Sequence, residues 1–428
     1  MECAVDSVAK DGIGCTSQLE HGLNAAAQTM CRELMETLLT SEAATRNDYE
    51  REPGERHGGV HEKKVVTLFG VVGPIPRPYY HAKGNKGHYP WDERMGLVDR
   101  YTPAVVSEVE RLTAIHNYRE AAQEFKNAHG FDISPDAMRD LVIRNADTVA
   151  EFNLECNSTE QTQRTALAYV LGDGTGISML RKYLKGVKGK YGKEAKTREV
   201  KLAAFFTGAM KKGKPYRDDD STTYIATTER WEQYGKMSRR EFDRRFPLKP
   251  TTTIFLSDGG AWLRSVHDNF FPFATMILDI YHALEHLKEI MLLLGYKEKT
   301  DEWKECFKRW KRMFKDGRVQ TVVKEAEKKS KGGRNESEIH KKLQYFRDNY
   351  DRMKYDEYNC NGWFTGSGVV ESGCKCVVQQ RLDLSGMHWS LTGAEALLAI
   401  RTLYKSSRLD ELHNWRVRNL KQIAFNAA

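Results

Sequence analysis

The chain is 428 residues long with a formal net charge of +8, 40% hydrophobic and 29% charged residues. That balance excludes disordered and fibrous classes and leaves room for two or three globular domains. No apolar run reaches the roughly 20 residues of a bilayer span, and the Met1-Glu-Cys-Ala-Val-Asp-Ser start lacks the basic and apolar segments of an export leader, so a cytoplasmic protein with no membrane partner is expected. Eight scattered cysteines without a Cys-x-x-Cys pair speak against a disulfide framework and against zinc.

Residues 18–41 read as one amphipathic helix and the polar, glycine-bearing stretch 46–64 as a linker, together a first region 1–64. Two short strands, 65–70 and 76–81, form a small β hairpin module within 65–100. His57, His61, His81 and His88 lie in these two regions with no cysteine among or beside them and no helical context, and are expected as loop histidines rather than metal ligands.

Region 101–155 turns helical, with helices at 103–113 and 118–130. Ser134-Pro135 then supplies an N-cap and a first-turn proline for a helix at 136–146. Helix, glycine turn and capped helix is a helix-turn-helix layout, whose second helix can enter a major groove with Arg139 and Arg144 as contacts. Helical hairpins without any nucleic-acid role share that layout.

The period changes in region 160–287. An apolar strand at 165–171 ends in Gly172-Asp173-Gly174-Thr175-Gly176; strands at 200–207 and 224–227 and a helix at 228–246 follow. A β-branched strand, 251–257, ends in Asp258-Gly-Gly, and a further one, 274–278, ends in Asp279 and runs directly into a helix carrying His282 and His286. Strands delivering aspartates at their C-terminal ends imply a mixed α/β sheet with its site at that edge. Residues 288–360 are charged and helical throughout and read as an α-helical insertion.

Region 361–428 opens on Gly366-Ser-Gly-Val-Val-Glu371. The glycines break what precedes, Ser367 can cap a helix, and Val370, Cys374, Val378 and Leu382 form its apolar row. Glu371 falls in the first turn, where it suits the helix dipole and an i, i+4 pair with Lys375; that structural role and a functional one both remain open. A last capped helix follows at 392–401.

The basic excess is clustered. One block runs from Arg181 through Lys182, Lys185, Lys188 and Lys190 to Arg198; the other holds Lys304, Lys308, Arg309, Lys311, Arg312 and Lys315, with Trp303, Phe307 and Trp310 interleaved. Such clusters suit a polyphosphate partner, since each neutralised phosphate releases counterions, or they are solvated faces. Lys375 and Arg381, on the Glu371 helix, are further candidates for phosphate contacts.

Asp173, Asp258 and Glu371 lie far apart in sequence, in similar glycine-flanked settings. If folding gathers them, their oxygens suit Mg²⁺-type cations and an in-line phosphoryl displacement on two metals. The ordered motifs Asp173-Gly-Thr-Gly, Asp258-Gly-Gly-Ala-Trp262, Asp279-Ile-Tyr-His282, Tyr345-Phe-Arg-Asp-Asn and Gly366-Ser-Gly-Val-Val-Glu371-Ser-Gly-Cys-Lys375 to Ser385-Gly-Met-His-Trp389 resemble the bacterial insertion-sequence DDE transposases of the ISKra group. The resemblance covers roughly residues 65 to 405. It implies an RNase H-like catalytic core interrupted by helices before its final glutamate and preceded by a helix-turn-helix-type region. It also implies Asp173, Asp258 and Glu371 as the catalytic triad, binding two Mg²⁺ (or Mn²⁺) ions, with Asp279 and His282 in support. The implied partner is double-stranded DNA, as element terminal repeats and target, bound by a homo-oligomer at the bacterial nucleoid. Alternatives are a transposase-derived DNA-binding protein without catalysis and a stand-alone RNase H-like nuclease.

Overall fold

The computed structural model describes residues 16–45, 49–84, 86–155, 163–187 and 193–426. They fall into two compact units, Met1–Leu154 with Ser407–Ala428, and Glu155–Ser406. The C-terminal helix Leu409–Asn426 therefore belongs with the first unit, and the chain 361–428 is divided between the two.

In the first unit the helix Thr16–Thr45 leads to an antiparallel hairpin of β1 (Glu55–Thr67) and β2 (Gly70–Ala82). Met35 and Leu39 of the helix pack against Ala43, Val65, Val72, Ile75 and Trp91. The stretch expected as a linker is thus largely strand from Glu55 onward, and the expected short strand at 65–70 is its inner end. The misreading has a physical cause: only Val65, Val66 and Thr67 of β1 are buried, and the polar remainder gains its stability from the backbone ladder and from cross-strand rings. His61 stacks on Tyr79 at 5.1 Å and His57 meets Tyr80 edge-on at 5.4 Å. His57, His61 and His81 are accordingly strand residues, not loop residues.

The helices Pro103–Ile115, Tyr118–His129 and Pro135–Arg144 begin where their caps place them. Thr102 and Ser134 accept the Val105 and Ala137 N–H groups, Asn117 and Glu120 form a reciprocal capping box, and Gly130 ends the second helix at φ +75°. The third helix stops at Asn145, earlier than the expected 146, because that buried side chain turns to Glu110. Glu110, itself buried, also accepts from Arg416 (3.0 Å) and His413 (3.2 Å) on the C-terminal helix, which ties the unit's last element to the helix Pro103–Ile115.

The second unit is built on a six-stranded mixed sheet. Its strands are β3 (Leu167–Ser178), β4 (Thr197–Lys211), β5 (Lys214–Arg217), β6 (Thr223–Thr227), β7 (Thr252–Ser257) and β8 (Thr275–Leu278). The order is β5-β4-β3-β7-β8, with β6 on the same edge of β4 as β5. The β4 pairings are antiparallel, whereas β3-β7 and β7-β8 are parallel. One face carries a core of Val170, Phe205, Phe255, Leu263 and Phe271, covered by the helices Trp231–Arg245 and Ala261–Phe270. After β8 the chain makes a helical excursion, Ile280–Leu293, Asp301–Lys315, Val319–Ser330, Glu336–Asp348 and Tyr355–Cys360. It returns where Thr365 O accepts the Ile280 N–H at 2.9 Å.

Candidate active site

The parallel register fixes the site. Gly172 pairs with Ser257 and Ser257 with Leu278, so the next residue of each strand, Asp173, Asp258 and Asp279, forms one row across three adjacent strands. Asp173 is not at a strand end, as its glycines suggest: β3 runs on to Ser178, paired only with β4. The strand loses its β7 neighbour at Gly172, and that sets the edge.

Each aspartate of the row ties one oxygen to nearby backbone. Asp173 Oδ1 accepts the Gly174 N–H (2.7 Å), Asp258 Oδ1 the Gly260 N–H (2.8 Å) and Asp279 Oδ1 the Tyr281 N–H (2.7 Å). Such ties fix the carboxylate plane and leave Oδ2 to face other groups. Asp258 Oδ2 has no hydrogen-bond partner among the described residues. Asp173 Oδ2 faces the Cys374 thiol at 3.5 Å, and Asp279 Oδ2 accepts from the Ser367 hydroxyl.

Glu371 arrives on the helix Gly368–Gly373. Ser367 does not cap this helix; its hydroxyl turns to Asp279 and to Glu371 Oε1, the latter at 2.7 Å. Nor does Glu371 pair with Lys375, since its carboxylate is engaged at the sheet edge instead. Asp279, His282 and Glu371 each offer a ligand atom, all within 4.8 Å of one another. Asp279 is 0% exposed, whereas Glu371 is exposed at the rim.

Burial raises the Asp173 carboxyl above its usual range against the pull of the Gly174 N–H, and the neighbouring Asp258 charge raises it further. Burial likewise raises Asp279, opposed by its hydrogen bonds from Ser367 and the Tyr281 N–H. The Cys374 thiol is pushed up by burial and by the Asp173 charge, so it remains a donor toward that carboxylate. Carboxylate oxygens crowded at one edge, some without a donor, form the hard ligand set that Mg²⁺ or Mn²⁺ takes, and the His282 imidazole is an additional ligand compatible with Mn²⁺. Asp279, His282 and Glu371 fit such an ion; among the described residues Asp173 and Asp258, the other two members of the expected triad, do not form a group of ligand atoms that close with Glu371.

After Gly373 the helix loosens into a π stretch, Cys374–Gln379, before a last turn at Gln380–Leu382. A row spaced i, i+4 drifts by about 40° per step around an α-helix; the wider π turns undo the drift, and Val370, Cys374, Val378 and Leu382 are all buried. Arg401 fastens the stretch, donating to Cys376 O (2.5 Å) and Val377 O (3.1 Å). From the helical excursion Tyr345 reaches back to the Asp258-Gly259 turn and stacks on His286 with ring centroids 3.9 Å apart.

Arg381, expected at phosphates, is fully buried with its guanidinium 5.6 Å from the Trp389 ring centre, so it does not present a surface charge. Arg309 is held by Glu325 through two bonds, 2.9 and 2.7 Å, and Trp310 donates to the same carboxylate from the core, so this block's aromatics are partly packing. Arg139 pairs with Asp136 and Asp140 on its own helix, and Arg144 is exposed. Lys182, Lys185, Lys308 and Lys375 are exposed; Lys188 and Lys190 lie outside the described residues. Sequence reasoning missed the roles of Ser367, Cys374, Tyr345 and Arg401. The i, i+4, i+7 spacing of Ser367, Glu371 and Cys374 was a signal for the first two, and nothing local marked the others.

Among the described residues no helix is long and apolar enough to cross a membrane. No protein-family model matches the chain, and no curated protein matches it. Among solved structures, the Drosophila P element transposase strand transfer complex matches with 10% identity and a TM-score of 0.25, over 75% of this chain and 81% of that one.

Proposed function

We propose that the chain is a DDE-type DNA transposase of the ISKra kind, cleaving element ends and transferring the freed strand to target DNA in a divalent-metal-dependent reaction. The register row carries the reading: Asp173 and Asp258 stand side by side where β3 and β7 part, and Glu371 is drawn to the same edge through Ser367 and Asp279. In this reading the mixed sheet is an RNase H-like core, interrupted by the helical excursion. Asp173, Asp258 and Glu371 are the catalytic carboxylates, and Asp279 and His282 support Glu371. Two Mg²⁺ or Mn²⁺ ions held there would supply activation of a water or 3′-hydroxyl and charge for the leaving oxygen. The chain's own contribution is to hold the carboxylate planes fixed through backbone N–H groups, so that little reorganisation accompanies the reaction.

The helices of region 101–155 read the terminal repeats in this proposal, with Arg139 and Arg144 at the groove. Lys182, Lys185, Lys308 and Lys375 hold phosphates, and the working form is a homo-oligomer on double-stranded DNA in the bacterial cytoplasm.

The test uses a plasmid carrying the sequences that flank the gene on both sides, incubated with the full chain and Mg²⁺ or Mn²⁺. Metal-dependent nicks with joined products, both lost in Asp258→Asn, are expected. Nicks without joining indicate a nuclease. Binding without cleavage, or unchanged cleavage in Asp258→Asn, overturns the enzymatic reading.

A further inference from the structure

Ser367, Glu371 and Cys374 fall at i, i+4 and i+7, one face of one helical segment, and all three meet the aspartate row. Ser367 is 3% exposed. Its hydroxyl has one proton but two carboxylate neighbours, Asp279 Oδ2 and Glu371 Oε1, so it can donate to only one of them at a time. A packing residue would need neither. Cys374 completes the enclosure of Asp173, whose other oxygen is already taken by the Gly174 N–H. A thiol is a weak donor, so it orients this carboxylate while competing little with a cation for its lone pairs.

We infer that Ser367 and Cys374 are positioning residues for the carboxylate row, Ser367 fixing Glu371 against Asp279 and Cys374 fixing Asp173, so that the row is organised for cations before they bind. The inference rests on the metal-dependent reading above. Without Ser367 the exposed Glu371 side chain regains its rotamers, and the entropy of ordering it again opposes cation binding. Without a donor at position 374, Asp173 loses its second restraint.

The experiment measures Mn²⁺ binding by calorimetry on the full chain, alongside thermal unfolding and the plasmid assay. Ser367→Ala and Cys374→Ala are each expected to weaken Mn²⁺ binding on the order of 10-fold, as loss of partners that orient metal ligands does. Ser367→Thr and Cys374→Ser, which keep a donor, should bind nearly as wild type. Wild-type binding by a folded Ser367→Ala and a folded Cys374→Ala overturns the inference, as does equal damage from the donor-keeping and donor-lacking variants. If the wild type binds Mn²⁺ with this variant pattern but cleaves nothing, the transposase reading falls and the positioning role stands. If the wild type binds no Mn²⁺, both fall.

Discussion

Gly259 and Tyr345 share a space that admits no further carbon: a Cβ on residue 259 would lie 2.3 Å from Tyr345 Cε2 and 2.7 Å from its hydroxyl oxygen. His286 stacks on a face of the same ring, centroids 3.9 Å apart, which restricts how it can retreat. Gly259→Ala is expected to destabilise the chain by about 1–3 kcal/mol, the usual cost of overpacking. Adding Tyr345→Leu should recover part of that loss. Thermal unfolding of the single and double variants measures it, and an unchanged midpoint for Gly259→Ala contradicts the close approach.

The carboxylate row sets a pH dependence. In the folded chain Asp173 titrates above its ordinary 3.8, chiefly through burial and also through the Asp258 charge. A raised folded value means that the native state holds the proton more tightly than the unfolded chain does. Its stability contribution is therefore complete below 3.8 and lost as pH rises through the raised value. Asp173→Asn keeps an oxygen for the Gly174 N–H and does not titrate. Its melting temperature relative to wild type should climb as pH is raised from about 4 to 8 without metal, and Mg²⁺ should narrow the gap at the upper end by binding wild type alone. A gap that stays flat with pH contradicts the assignment.

Buried and exposed cations separate in a salt titration. Arg381 lies inside the second unit, so Arg381→Ala should lower the free energy of unfolding through lost packing, by roughly 3 kcal/mol, and leave the salt slope of DNA binding unchanged. Lys185→Ala should do the reverse, leaving stability alone and reducing the slope of log K against log salt by about one unit. A reduced slope for a folded Arg381→Ala would place that guanidinium at phosphate after all.

Much of the second unit was legible from its residues. Thr252–Ser257 and Thr275–Leu278 are short apolar runs that each end in an aspartate, and their period and stop signals suffice to place them. The alignment of Asp173 with Asp258 was not legible, because register is decided by pairing between distant strands; nor was the continuation of β3 through three glycines, which β4 sustains. Arg381 reads as a surface cation because its burial depends on the π stretch and on Trp389, both tertiary matters. Ser367 reads as a cap because capping is what serine before a helix usually does; here two carboxylates outcompete the backbone for its hydroxyl. In the first unit β1 stayed hidden because its outer half buries almost nothing.

The bond from the Ile280 N–H to Thr365 O, beside that from the Ser367 hydroxyl to Asp279, brings the start and finish of the helical excursion together. Closing a chain segment costs only about 0.6 kcal/mol more for each doubling of its length. The outer part of that excursion is thus free to lengthen or shorten at small thermodynamic expense, provided its opening turn keeps His282, its later helices keep Tyr345 and Tyr355 against the sheet edge, and its return delivers Ser367. Diversity in size between otherwise similar chains is expected to concentrate there, in the outer helices Asp301–Lys315 and Val319–Ser330, while the spacing from Gly366 to Cys374 stays constant to the residue.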